Sequence, residues 1–200
     1  HHHYDHVGGN IDLKKKYNSK IIYSIIDDNS IPGGDLGKKD GDVFVIGEAS
    51  FKVLHIPGHT LGHIAFYCKE SNVIFTGDTL FSLGCGRIFE GTFKQMFESL
   101  EKIKSLPKNT MIYCGHEYTN DNGLFCLSID KDNTRLKKRI KDVKTNTKKN
   151  LPTLPITLGE EIETNIFLRC DNKKIKNNLK MDNSSKLEVF TKLRNLKDKF

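Results

Sequence analysis

His1-His2-His3-Tyr4-Asp5-His6-Val7-Gly8-Gly9-Asn10 is the stretch on which the reading of this 200-residue chain turns. Side chains alternate along an extended segment, so His1 and His3 share one face and can grip a single cation, while His2 faces the other way. Asp5 and His6 follow where the chain turns, and can grip a second. Gly8 and Gly9 permit a tight turn into a helix that should begin near Asn10. A purification tag would also begin with consecutive histidines, but Asp5, His6 and Gly-Gly-Asn are not tag-like.

The remaining histidines extend the pattern. All eight fall in three places, each at a strand end or a glycine turn. Pro57-Gly58-His59-Thr60-Leu61-Gly62-His63 follows a strand. His59 is the expected ligand there, His63 is expected to hydrogen-bond behind the ligands, and His55 has no assigned role. Phe75-Thr76-Gly77-Asp78-Thr79-Leu80 places a carboxylate just past an apolar strand, where its two oxygens can bridge two cations. Cys114-Gly115-His116-Glu117-Tyr118 repeats the order strand, glycine, histidine. The expectation is two divalent ions per chain. His1, His3 and His59 hold one, Asp5, His6 and His116 hold the other, and Asp78 is shared, with room for a bridging water. Nitrogen and oxygen donors without thiolate suit zinc first, with iron or manganese as alternatives.

Around these sites the first 130 residues read as short strands. Lys20–Ile26 is a buried-strand candidate, followed by a Gly-rich loop from Ser30 to Gly41. Asp42–Ile46 and Phe51–Ile56 form an expected hairpin, as do His63–Cys68 and Asn72–Thr76. Thr92 caps an amphipathic helix carrying Phe93, Met96, Phe97, Leu100, Ile103 and Leu106, which Pro107 ends. Thr110–Cys114 is a further strand. Helices are expected at Asn122–Ile129, Asn133–Lys149, Gly159–Leu168 and Lys186–Lys199, with a loose loop over Cys170–Ser185. The division expected is a catalytic unit over 1–118 and a helical unit over 119–200.

Composition excludes several classes. Hydrophobic residues make up 36% and charged residues 28%, and no stretch approaches the ~20 apolar residues of a membrane span. The cysteines number five, an odd count without a C-x-x-C pair, which argues against a disulfide framework or a cysteine zinc site. A reducing compartment suits them, so a cytoplasmic protein is expected, with an organelle-targeted form as the alternative. The net charge of +7 is uneven: residues 1–130 carry −3 and residues 131–200 carry +10. The basic tail lacks an aromatic–basic stacking pattern, and Lys137–Lys149 reads as a solvated helix face. Neither nucleic acid nor a membrane is an expected partner, and the chain is expected to be a monomer or a weak homodimer.

The order His-x-His-x-Asp-His, Gly-His, Gly-Asp-Thr, Gly-His resembles the metallo-β-lactamase superfamily. Thr-Gly-Asp-Thr-Leu-Phe at 76–81, Gly-Cys-Gly-Arg at 84–87, Glu-Gly-Thr at 90–92 and Cys-Gly-His-Glu-Tyr-Thr at 114–119 narrow it to a resemblance to glyoxalase II. Leu193-Arg194-Asn195-Leu196-Lys197-Asp198 is similar to the Arg-x-x-Lys-Asp that closes that family's helical domain. The resemblance implies an α/β fold, the αββα metallo-β-lactamase sandwich with its first strands missing, followed by a small α-helical domain. Members carry further strands before the His-x-His motif, so the chain is expected to be a fragment with apolar sheet surface uncovered.

The implied activity is hydrolysis of a glutathione thioester, typically S-D-lactoylglutathione, by hydroxide formed between two metals. Asp5 and His6 count among the implied catalytic residues, Asp5 also orienting the nucleophile. Implied glutathione contacts are Arg87, Tyr118, Arg194 and Lys197, the last two one helical turn apart and clamping the glycine carboxylate. Arg87 stands where many members have Lys, and Phe89 where a Tyr hydroxyl commonly contacts glutathione. Rival readings on the same scaffold are a single-iron persulfide dioxygenase, a lactonase, a β-lactamase and a nuclease. The Arg194/Lys197 pair favours glutathione.

Overall fold

A computed structural model describes residues 1–200. The turn α1 (Tyr4–Val7) and the helix α2 (Asn10–Tyr17) open the chain, the second where Gly8-Gly9 predicts it. The apolar run at 20–26 is a strand for three residues only, β1 (Ile22–Ser24), and the chain then turns into a 3-10 segment, Ile25–Ser30. The Ser24 hydroxyl accepts the Ile26 N–H, and Ile25 and Ile26 end up exposed. A side-chain cap thus overrides aliphatic strand propensity. Within the expected loop lies β2 (Leu36–Lys38), pairing with β1 in parallel.

Four antiparallel neighbours follow as predicted: β3 (Val43–Ile46), β4 (Ala49–His55), β5 (Ile64–Cys68) and β6 (Val73–Gly77). A small hairpin, β7 (Leu80–Phe81) with β8 (Gly84–Cys85), leads to α3 (Phe93–Lys104). Thr92 and Gln95 form a capping box at its start, so the predicted cap is the observed one. The helix carries the chain across to β9 (Met111–Cys114), parallel to β6. Beyond it come α4 (Thr119–Ile129), α5 (Thr134–Lys148), β10 (Ile156–Thr157), α6 (Leu158–Thr164), α7 (Lys173–Leu179) and α8 (Lys186–Lys197). The main sheet has the order β10-β9-β6-β5-β4-β3.

Three differences from expectation lie in the helical part. The helix predicted over 159–168 is broken at Asn165, whose side chain caps the Phe167 N–H and reaches back to the Gly84 carbonyl. The segment 170–185 contains α7, capped by Asn172, with Ile175 buried and Leu179 packed against the core. Two apolar residues are too few to show a periodicity. α4 starts at Thr119, three residues before the predicted Asn122.

The two faces of the sheet are unlike. Leu54, Ala65, Tyr67, Ile74, Ile112 and Ile156 line up across the strands and bury against Met96, Leu100 and Ile103 of α3. That cluster of 26 buried residues runs on through Phe125, Phe167 and Phe190, so the helical segment shares the core of the sheet. Phe97 of α3 meets Phe190 of α8 at a centroid distance of 5.7 Å. On the opposite face Phe44, Phe51, Phe66, Phe75 and Tyr113 form an aromatic ladder, with Phe75 43% exposed. No helix is long and apolar enough to cross a membrane.

Candidate metal centre and substrate cleft

The strand ends and glycine turns converge at one edge of the sheet. His3 is extended (φ −62°, ψ 145°) just before α1, which brings Asp5 and His6 round beside it. Asp78 leaves β6 after Gly77, whose φ of +50° suits glycine. His116 leaves β9 through Gly115, where a Cβ would stand 2.3 Å from Asp78 Oδ1. Glycine at 115 therefore lets the β9 turn approach the carboxylate.

The predicted side chains meet as two trios. His3 Nδ1 lies 3.1 Å from His1 Nε2 and 3.1 Å from His59 Nε2. Across the centre, His116 Nε2 is 3.2 Å from His6 Nε2 and 3.1 Å from Asp5 Oδ2. Asp78 stands between them, with Oδ2 3.6 Å from His59 Nε2 and 3.3 Å from His116 Nε2, and Oδ1 3.4 Å from His6 Nε2. Donors about 2.1 Å from one ion in a tetrahedron are separated by about 3.4 Å, so these spacings suit a shared cation. Asp78 Oδ1 is buried without a hydrogen-bond partner. A buried carboxylate oxygen in that state is costly unless a cation satisfies it. The donor set therefore fits divalent metal.

The surroundings orient the donors. His59 Nδ1–H donates to the Arg87 carbonyl at 2.8 Å, leaving the Nε2 lone pair free for a ligand role. Burial lowers the pKa of His59, favouring the neutral form that metal binding needs. His63 lies behind the ligands, as expected: its Nε2 accepts the Asp78 N–H at 3.0 Å, and its ring stacks on His1 at 4.7 Å. Burial holds His63 well below the usual histidine pKa. His2 turns away from the centre to Glu90.

A cleft of about 490 Å³ opens over the centre. All four predicted glutathione contacts line it, together with Phe81, Cys85, Phe89, Asp121 and Asn122. Tyr118 stacks on His116 at 5.0 Å. Arg87 is largely exposed, its Nε 3.9 Å from Asp198 Oδ1. Arg194, expected as a free clamp, is only 3% exposed and already engaged, Nη1 donating to the Cys85 carbonyl and Nη2 to Asp198. Its buried Nε–H has no partner. Lys197 lies over the Phe125 and Phe200 rings, and burial lowers its pKa. Phe89 meets His59 edge-on at 5.2 Å. Asp121 and Asn122 were not singled out by the sequence, since only the docking of α4 brings them to the cleft.

Comparison with known proteins agrees with this geometry. Residues 1–116 match the family model of the metallo-beta-lactamase superfamily, and residues 117–200 match that of the hydroxyacylglutathione hydrolase C-terminus. The chain is 52% identical over 200 residues to a hydroxyacylglutathione hydrolase of Pelagibacter ubique (strain HTCC1062), covering all of this chain and 78% of that protein. In fold it is similar to ETHE1 from Myxococcus xanthus, with a TM-score of 0.63 and 22% identity over 98% of this chain and 66% of that one. It is also similar to TTHA1623 in a di-iron-bound form, with a TM-score of 0.57 and 27% identity over 84% of this chain and 74% of that one. With two side-chain trios and a carboxylate between them at a sheet edge, and a relative above 50% identity along the whole of this chain, the chain belongs to the hydroxyacylglutathione hydrolase (glyoxalase II) family of the metallo-β-lactamase superfamily.

Proposed function

We propose that the two trios hold two divalent ions and that the cleft above them binds the glutathione moiety of S-D-lactoylglutathione, which is cleaved to D-lactate and glutathione. Thioester hydrolysis of hydroxyacylglutathione is the activity of this enzyme. The ion number, the acyl group and the residue roles are the finer reading. The observation that carries it is Asp78, one carboxylate facing both trios at the foot of a cleft that also contains Arg87, Tyr118, Arg194 and Lys197.

His1, His3 and His59 would hold one ion, and Asp5, His6 and His116 the other, with Asp78 shared. Zinc suits these donors, with iron or manganese as alternatives. When bound, such ions lower the pKa of a shared water to roughly 7 and polarise a carbonyl. The chain's own residues do the rest. Asp5, at the mouth of the centre, orients the attacking oxygen. Tyr118 and Arg87 flank the cleft where the glutathione backbone passes. Arg194 and Lys197, which line the same cleft, meet a glutathione carboxylate. The leaving thiolate requires no strong general acid. We propose residues 1–118 as the unit that holds metal and residues 119–200 as the unit that holds glutathione.

Release of thiol from S-D-lactoylglutathione by the metal-loaded chain, abolished by chelation, is the expected result. Two bound ions without thiol release would overturn the substrate assignment. Arg194→Ala is expected to raise KM at least about tenfold, since a charge-assisted hydrogen bond contributes about 1.5–3 kcal/mol, while kcat stays within about threefold. Losing the Cys85 and Asp198 bonds also lowers its melting temperature. An unchanged KM would remove Arg194 from the binding site. Phe89→Tyr restores a hydroxyl at the cleft wall, and one neutral hydrogen bond of about 1 kcal/mol lowers KM by up to about fivefold. Steady-state kinetics checks both.

A further inference from the structure

The Glu-Gly-Thr motif at 90–92 belongs neither to the metal donors nor to the glutathione contacts, and His2 sits between two donors without being one. The structure joins these two leftovers. His2 Nε2 lies 2.6 Å from Glu90 Oε1, and Glu90 Oε2 accepts the Leu61 N–H at 2.8 Å. One carboxylate thereby ties the His1–His3 segment to the loop between His59 and His63.

The neighbours of Glu90 grip the same loop through backbone. The N–H groups of Phe89 and Glu90 donate to the His59 carbonyl at 3.2 and 3.4 Å, and the Gly91 N–H donates to the Gly58 carbonyl at 3.1 Å. A Cβ on Gly91 would stand 2.7 Å from Gly58 Cα, so the two strands of backbone touch there. Thr92 secures the far end by capping α3. The motif is a clamp closed on the His59 turn, and Glu90 is the part of it that reaches across to the first three residues.

We propose that Glu90, acting through His2 and the Leu61 amide, is the positioning residue that holds His1, His3 and His59 at the spacing of one metal site. The inference rests on the two-ion reading above. It goes beyond that reading in being selective: the brace touches the segments of one trio, whereas Asp5, His6 and His116 are set by α1 and the β9 turn. Residues behind metal ligands typically change affinity 10- to 100-fold. Glu90 acts one residue further back, so the low end applies.

The test is chelator competition on the zinc-loaded full chain, with metal stoichiometry and melting of the metal-free chain measured alongside. Glu90→Ala is expected to weaken one of the two ions about tenfold and leave the other unchanged. Glu90→Gln is expected to stay within about threefold of the parent. Its amide oxygen still accepts the Leu61 N–H, and its amide N–H donates to the other tautomer of His2. His2→Ala leaves the Leu61 bond in place and weakens the same ion by a smaller factor, and the double variant is no weaker than Glu90→Ala. If Glu90→Ala holds both ions as the parent does, or loses both alike, or if Glu90→Gln is as weak as Glu90→Ala, the brace is overturned. A parent chain holding fewer than two ions overturns the two-ion reading, and the brace with it.

Discussion

Replacing Asp78 with alanine is expected to lower kcat/KM by about 10³-fold or more and to leave fewer than two metal ions per chain. Asp78 is buried, and it is the one carboxylate whose oxygens face both trios, 3.6 Å from His59 Nε2 on one side and 3.3 Å from His116 Nε2 on the other. Its position is over-determined: His63 accepts its N–H, and Gly77 and Gly115 let the two flanking turns close on it. No neighbouring group can take its place. Metal-supported charge stabilisation contributes several kcal/mol, and each 1.36 kcal/mol is tenfold, so loss of the shared carboxylate costs three orders of magnitude or more. Elemental analysis and a thiol-release assay check this. Melting of the metal-free variant against the metal-free parent separates loss of metal from loss of the Oδ2 contacts to His59 and His116. Two ions and a parental rate in Asp78→Ala would end the shared-carboxylate reading.

The second large effect concerns stability. Glu161 of α6 is fully buried, and it accepts from the Ser82 hydroxyl at 3.0 Å, the Leu83 N–H at 2.9 Å and the Asn165 amide at 2.9 Å. Ser82 and Leu83 form the turn between β7 and β8, and Leu83 holds a φ of +58°, a conformation costly for a branched side chain. Glu161→Leu strands three donors and releases that turn, at an expected cost of about 3–5 kcal/mol. A denaturant titration measures it, and a loss below about 1 kcal/mol would show that the network is slack.

The same residue predicts a pH dependence. Burial pushes the Glu161 carboxyl up to about 7, against the opposing pull of its hydrogen bonds. The folded state thus binds this proton more tightly than the unfolded chain does. Its contribution to stability is full below the ordinary glutamate pKa and is lost as pH rises toward 7. Parent minus Glu161→Gln stability should therefore fall between about pH 4.5 and 7, while histidines common to both cancel. A difference that rises over that window would contradict the assignment.

Much of the centre was legible because the proposed donors are local punctuation: His59, Asp78 and His116 each follow a glycine just past an apolar strand, and His1, His3, Asp5 and His6 crowd into one short stretch before Gly8-Gly9. Those patterns mark the seven residues without any knowledge of which strands pair. The capped helices were legible for a similar reason, since Thr92 and Asn133 signal their starts within a few residues of chain. What escaped notice is either too short to carry a pattern or too distant. β7, β8 and β10 are two residues each, below the length at which alternation can be seen. The expected strand at 20–26 yields to a single serine cap.

The proposed glutathione side shows the division most clearly. That Arg194 and Lys197 share a helix face follows from their spacing of three. That Arg194 is buried and bonded to a carbonyl 109 residues away depends on where α8 docks against β8. The amino-acid sequence by itself determined the proposed donors, their order and the chemistry they suit, because these are properties of residue types at local turns. How closely those side chains approach, which cations are already engaged and which carboxylate reaches His2 were decided only by the tertiary structure. Those are distances between segments far apart in the chain, set by packing in one common core.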